Sequence, residues 1–330
     1  MGKELKGSKT MKAAVLHAVN DLRFEEVDMP AAKEGETLLK IMAAGICGSD
    51  ISRVYGSGAY HYPIILGHEF SGLDEKTGKK AVVFPLLPCK KCAMCQIGEY
   101  VCCENYDYYG SRRDGAFAEY LAVKNENILY VDADIPYDVL AMAEPAAIGV
   151  HSVYLAEVKV GDSVLITGAG AIGPIMGYIA KVSGAAKVYF TDIDPRKLDY
   201  AVGLGFDVYE GQKVDVFIEG TGASSALEAG LEAVKAFGNV VLMGNPHGDL
   251  KLSQKSYWHI LRKQLKIRGS WNSMFNAFRN EWRIVLDLLS AGKLPLENMI
   301  SHRFGLEDCN RAFGILKDRT EFTNRVMFVN

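Results

Sequence analysis

The chain has 330 residues, of which 49% are hydrophobic and 23% charged, with a formal net charge of -3. That length gives room for about two domains with buried cores. The composition excludes a disordered chain, and the slight acidic excess offers no basic face to nucleic acid or to an anionic membrane.

No apolar run approaches the ~18 residues needed to cross a bilayer. The first ten residues, MGKELKGSKT, are polar and lack the apolar centre of a secretory signal. They read as an extension ahead of a first strand. Seven cysteines, most of them in one short stretch, favour metal ligation in a reducing compartment, the cytoplasm, over disulfides.

Residues 11–150 read as β-rich. The strand-like runs are Lys12–Leu16, Leu38–Ala44, Lys80–Phe84, Phe117–Val123 and Asn127–Tyr130. Turn residues punctuate them, as in Lys33-Glu34-Gly35-Glu36 and Arg113-Asp114-Gly115. After the second run comes Gly45-Ile46-Cys47-Gly48-Ser49-Asp50, and then Gly67-His68-Glu69. Cys47 is a soft thiolate, His68 an imidazole and Glu69 a carboxylate. Such a set suits Zn2+, and three protein ligands with an open position is the catalytic form of a zinc site. Asp50 is placed to accept the second ring N–H of His68 and fix its tautomer. Ser49 is placed to pass a proton. Taken singly, Cys47 and His68 also read as a buried thiol and a core histidine, and spacing alone does not bring them together.

Next comes Cys89-x2-Cys92-x2-Cys95, followed by the pair Cys102-Cys103. Four thiolates on one compact loop close a tetrahedral zinc site. A closed site has no vacancy for substrate, so its role is structural. Either Cys102 or Cys103 can supply the fourth thiolate. Glu144-Pro145 then opens an apolar helical run, Ala146–Ala156. Glu144 there is either a helix-start carboxylate facing solvent or one held by a partner, for which zinc is the candidate.

Residues 161–270 change character. Ser163–Thr167 is a continuous apolar strand, followed by Gly168-Ala169-Gly170-Ala171-Ile172-Gly173 and a helix from Pro174 to Ser183. Strand Lys187–Thr191 ends at Asp192, 19 positions past Gly173. A lone G-x-G-x-x-G is weak. Between a strand and a helix, with an acid at that distance, it marks a dinucleotide site on a doubly wound, Rossmann-type parallel sheet. The glycines and Ile172 form the turn on which pyrophosphate sits. Asp192 would accept both adenosine ribose hydroxyls and repel a 2′-phosphate, which favours NAD over NADP. Strands at Val214–Ile218, Asn239–Met243 and Leu265–Arg268 and a helix over Ser224–Ala236 continue the alternation. Gly244, closing the Asn239–Met243 run, is a further cofactor candidate. A helix over Phe278–Ala291 and a last strand, Asn324–Val329, complete the chain.

Taken together, Cys47-Gly-Ser-Asp50, Gly67-His68-Glu69, the cysteines at 89–103, Glu144-Pro145 and the glycine turn occur in the order of the zinc-dependent medium-chain dehydrogenases. The chain resembles that family from Met11 onward. Glu144-Pro145, in place of a cysteine ligand, resembles its polyol, or sorbitol-type, branch.

The resemblance implies a GroES-like catalytic domain, residues 1–149 and 272–330, interrupted by a Rossmann NAD-binding domain, residues 150–271. It implies two zinc ions. One is catalytic, on Cys47, His68 and Glu144, with Glu69 exchanging or behind it. The other is structural, on Cys89, Cys92, Cys95 and Cys103. It places a ribose-contacting lysine at Lys197. It also implies a homodimer, with a tetramer as the alternative, and a small-molecule substrate: a sugar-alcohol phosphate, or else an unphosphorylated polyol, diol or threonine. Phosphate recognition would fall to Arg53, Arg112 or Arg113, since a bidentate guanidinium suits phosphate. Adjacent arginines in a turn otherwise read as a solvated surface pair. Ser52 stands where many relatives carry a relay histidine. The segments Ser71–Val82 and Tyr209–Val214 are short for the family.

Overall fold

The structure is a computed structural model and describes residues 9–246 and 248–330. Of the residues read as an extension, 1–8 lie outside the described residues. Thr10 already pairs with Asp28 in the first hairpin. The chain divides into two compact units, residues 1–144 with 296–330, and residues 145–295.

The first unit is β-rich. Its main sheet has seven strands, with Glu36–Gly45 at the centre. Glu69–Asp74 and Tyr120–Lys124 pair with that strand antiparallel. The C-terminal strand Arg325–Val329 also pairs with it antiparallel, and runs parallel to Ile300–Phe304. Phe117 packs edge-on against Phe313 and Phe328, at centroid distances of 5.9 and 5.0 Å. All three rings are buried, so the early and late segments share one core. The short segment between Ser71 and Val82 is a closed hairpin, Glu69–Asp74 with Lys79–Val83. Asp74 ties its turn through the Lys76 N–H at 3.0 Å.

The second unit holds a six-stranded sheet of Asp207–Val208, Lys187–Thr191, Ser163–Thr167, Val214–Glu219, Val234–Leu242 and Lys266–Gly269, in that spatial order. Every pairing is parallel. The order 3-2-1-4-5-6 is that of a doubly wound dinucleotide-binding sheet, which places its switch point beside Ser163–Thr167. Val164, Leu165 and Ile166 are buried, as expected for a strand covered on both faces.

Two expected boundaries shift. The helix over Ser224–Ala236 ends at Ala233, and the next strand begins at once with Val234. Lys263 caps this abrupt end, donating to the carbonyls of Leu231, Glu232 and Val234 at 2.9, 2.7 and 2.7 Å. The segment 272–295, expected with the catalytic unit, groups instead with the second. Its helix is Glu281–Ser290, not Phe278–Ala291, because Asn280 accepts the Arg283 N–H and caps it. Glu281 is buried and hydrogen-bonded at 3.0 Å to Nδ1 of His151 in the same unit. Among the described residues, no helix is long and apolar enough to cross a membrane.

Candidate active site

The register of the main sheet assembles what sequence spacing leaves apart. Gly45 pairs with Glu69 across antiparallel strands, so the chain leaving one strand at Cys47 meets the chain entering the next at His68. Gly67 precedes them at φ +96°, and a side chain there would strike the Phe117 ring. Donor atoms of Cys47, His68 and Glu69 lie within 4.8 Å of one another. His68 and Glu69 are buried and Cys47 half-buried.

Asp50 organises the helix Gly48–Tyr55 that follows. Fully buried, it accepts the Cys47 N–H at 3.0 Å, and its other oxygen lies 3.6 Å from His68 Nδ1. That second distance is an electrostatic contact, longer than a hydrogen bond. Ser49 Oγ accepts from Arg53 at 2.8 Å. Glu69 forms a buried ion pair with Arg325. Burial pushes the Cys47 thiol above its usual range, and Asp50 and Glu144 add to the shift. A cation among these groups would reverse that balance and favour the thiolate, so the donor set fits a zinc ion.

Glu144 differs from the expected ligand set. It is not part of the converging Cys47–His68–Glu69 group. Its carboxylate is buried and accepts the Tyr108 hydroxyl at 3.1 Å. Burial raises the Glu144 carboxyl, against the lowering effect of His68 and of the Tyr108 bond.

The four-cysteine loop is compact. Donor atoms of Cys89, Cys92, Cys95 and Cys103 lie within 4.8 Å of one another, and Cys102 is exposed. Sγ atoms are 3.9 Å apart for Cys89–Cys95 and 4.0 Å for Cys92–Cys103. A tetrahedral ion with Zn–S of about 2.3 Å sets its sulfurs about 3.8 Å apart, so these residues fit zinc. Backbone N–H groups of Lys91 and Cys92 point at Cys89 Sγ, each at 3.4 Å, and hold that thiol down to about 6. Burial pushes Cys95 up to about 12.

In the second unit, Gly168 takes φ +90° as the chain leaves the first strand of the sheet. A side chain at Gly173 would collide with the Gly168 carbonyl, so the turn closes only with glycine. Ile172 stands at the N-cap position of the helix Gly173–Val182 and makes no side-chain cap bond. Asp192 accepts the Ala169 N–H at 2.8 Å and the Asp194 N–H at 2.9 Å. It is thereby pinned to the glycine turn. Lys197 reaches the same turn, its Nζ 3.7 Å from where a Gly170 side chain would begin. A side chain at Gly244 would strike the turn Glu219–Gly222. The buried Glu219 holds that turn through the Thr221 and Gly222 N–H groups, at 2.7 and 3.0 Å. Sequence reasoning missed this carboxylate, which ends an apolar strand.

The three arginines have different surroundings. Arg53 serves Ser49 and lies 3.5 Å from Asp50. Arg113 is ion-paired with Asp107 at 2.8 Å. Arg112 lies between the rings of Tyr60 and Tyr106, 4.8 and 4.3 Å from their centroids, and donates to the Tyr106 carbonyl at 3.1 Å. Among the described residues it has no ion-pair partner. Tyr108, on the same loop, and Arg325 are two further side chains that sequence reasoning did not select. The run NYDYYGSRRDGAFAEY contains Tyr108, but nothing in it marks which tyrosine turns inward.

Comparisons with known proteins give the family and the fold. The alcohol dehydrogenase GroES-like domain family matches residues 33–133, and the zinc-binding dehydrogenase family matches residues 171–291. Galactitol 1-phosphate 5-dehydrogenase of Escherichia coli is 34% identical over 329 residues, covering 92% of this chain and 95% of that protein. Sorbitol dehydrogenase of Bombyx mori is 30% identical over 341 residues, covering 92% and 95%. The crystal structure of galactitol-1-phosphate dehydrogenase from Escherichia coli superposes with a TM-score of 0.90 at 32% identity, covering 97% of this chain and 100% of that one.

Proposed function

The chain belongs to the zinc-dependent medium-chain alcohol and polyol dehydrogenases, and we propose that it oxidises a hexitol phosphate, galactitol 1-phosphate at C5 to tagatose 6-phosphate, with NAD as acceptor. The observation that carries the substrate reading is Arg112, a guanidinium held by two tyrosine rings with no ion-pair partner among the described residues. A stacked arginine keeps its fork rigid for a phosphate. Arg53 and Arg113 support the reading less, because Asp50 and Asp107 neutralise them.

In this reading Cys47, His68 and Glu69 hold the catalytic zinc, and Glu144 stands beside them on Tyr108. Zinc supplies Lewis-acid stabilisation of the developing alkoxide charge, and NAD accepts the hydride. Asp50 holds the Cys47 backbone and faces His68. Ser49 accepts from Arg53 and its hydroxyl hydrogen-bonds the Cys47 sulfur, so passing a proton to or from the substrate hydroxyl would exchange that bond. Ser52 offers no imidazole there to carry the proton onward.

Replacing Arg112 by alanine should lower kcat/KM for galactitol 1-phosphate by about 10- to 100-fold, the scale of one charge-assisted hydrogen bond. Activity on sorbitol, which has no phosphate, should hardly change. Equal losses on both substrates would make Arg112 a structural residue and leave the unphosphorylated polyol as the better reading.

The preference for NAD rests on Asp192, and Arg196 does not oppose it. Its guanidinium donates to both carboxylate oxygens of Asp194, at 3.0, 3.3 and 2.8 Å, and so is engaged away from a 2′-phosphate. Wild type should favour NAD over NADP in kcat/KM. Asp192→Ala should lose about 10- to 100-fold with NAD, the scale of hydrogen bonds to a charged group. Equal use of both cofactors by wild type would remove the assignment.

A homodimer belongs to the same reading. The edge strand Lys266–Gly269 exposes Ile267, and the helix Gln254–Lys263 exposes Trp258 and Leu261. Sedimentation as a monomer at micromolar concentration would contradict it.

A further inference from the structure

Three buried carboxylates serve this site, Asp50, Glu69 and Glu144, and beyond Asp50, which holds the Cys47 backbone, each of the other two has its own partner. Glu69 pairs with Arg325 and belongs to the group that converges on a metal position. Glu144 accepts the Tyr108 hydroxyl at 3.1 Å and does not belong to it. The Tyr108 ring meanwhile packs edge-on against His68, with centroids 5.7 Å apart. One side chain therefore touches a metal-ligand candidate with its ring and a reserve carboxylate with its hydroxyl. Tyr108 is held in turn by the ring of Tyr106, 6.2 Å away, on which Arg112 stacks.

A buried carboxylate without a partner is costly, so Glu144 needs either a hydrogen-bond donor or a cation. Here the phenol fills that need. Were the phenol gone, the ion at Cys47 and His68 would be the next partner available, because the site's other buried cation, Arg325, is taken by Glu69.

We propose that Tyr108 is a positioning residue: its hydroxyl holds Glu144 off the metal of the Cys47–His68–Glu69 group and so keeps a coordination place open for substrate. The inference rests on the zinc dehydrogenase reading and adds to it the side chain that sets the coordination number.

The test uses full-length protein with zinc retained at the four cysteines and Co2+ loaded at the Cys47 group. The readouts are the d–d absorption of the cobalt and its rate of release to a chelator. Tyr108→Phe keeps the ring against His68 and removes only the hydroxyl. It should gain a carboxylate ligand, seen as weaker and shifted d–d bands. Metal release should slow by about tenfold, within the range over which hydrogen-bonding partners tune metal sites. Tyr108→Phe/Glu144→Gln should return to the wild-type spectrum, and Glu144→Gln alone should match wild type in both readouts. An unchanged spectrum and release rate in Tyr108→Phe overturns the inference and leaves the zinc dehydrogenase reading intact. A wild type that takes up metal only at the four cysteines overturns that reading, and the inference with it.

Discussion

Cys47→Ser should abolish turnover and leave the fold in place. The substitution removes one thiolate from a three-ligand group whose other members are an imidazole and a carboxylate. A serine hydroxyl at neutral pH is a poor ligand for zinc, so the ion should be lost and the charge it would stabilise left uncompensated. Lewis-acid stabilisation of an alkoxide is worth several kcal/mol, so kcat should fall by at least about a thousandfold. Stability should change little, because Cys47 caps a short helix chiefly through backbone bonds that serine also makes. The check combines zinc analysis with kinetics. Wild type should hold two zinc ions per chain and the variant one, with a similar Tm. Retained turnover in a variant lacking that zinc would remove metal from the mechanism.

Cys95→Ser should have the opposite profile. Cys95 is buried within the four-thiol cluster, on a loop whose own elements are a single four-residue helix and one 3-10 turn. So small a loop has little core of its own, and the bound ion contributes its folding free energy directly. Loss of a structural metal is among the largest single-site destabilisations. Tm should fall by about 10 °C. Zinc should drop by one ion while the Cys47 group keeps its own, and kcat per folded molecule should stay close to wild type at low temperature. An unchanged Tm with one zinc fewer would show that the loop does not depend on its metal.

These two effects separate because the two metal groups were legible in different ways. The four-cysteine loop is local. Its ligands fall within one stretch, so sequence spacing alone nearly defines it, and only the choice of Cys103 over the exposed Cys102 required more. The Cys47–His68 meeting is not local. It depends on the pairing of Gly45 with Glu69, which no spacing rule supplies. Glu144 shows the same limit: its partner Tyr108 lies 36 residues away and on another element. The resemblance set Glu144 among the zinc ligands, whereas the structure holds its carboxylate on the Tyr108 hydroxyl, outside the converging group, through a partner that only the fold assembles.

The fold divides the same way. Ser163–Thr167 and Lys187–Thr191 have the bounds read from sequence, since strands buried on both faces are continuous apolar runs. Asp21–Asp28 was not read as a strand. It exposes Arg23, Phe24 and Glu26, and its charges mask the alternation. The helix Pro195–Gly203 was also passed over, though Pro195 at its start and the Asp194 cap are recognisable signals. The shift of 272–295 to the second unit follows from the buried His151–Glu281 pair, a long-range contact with no signature in either segment.

The most direct test of the central claim is the initial rate of NADH formation by the zinc-loaded wild type, measured as kcat/KM on galactitol 1-phosphate, sorbitol and threonine, with and without a chelator. The account predicts the highest kcat/KM on galactitol 1-phosphate, by at least about tenfold over sorbitol, and loss of activity on all three once the Cys47-group zinc is removed. A higher kcat/KM on sorbitol or threonine, or turnover that survives removal of that zinc, would contradict it.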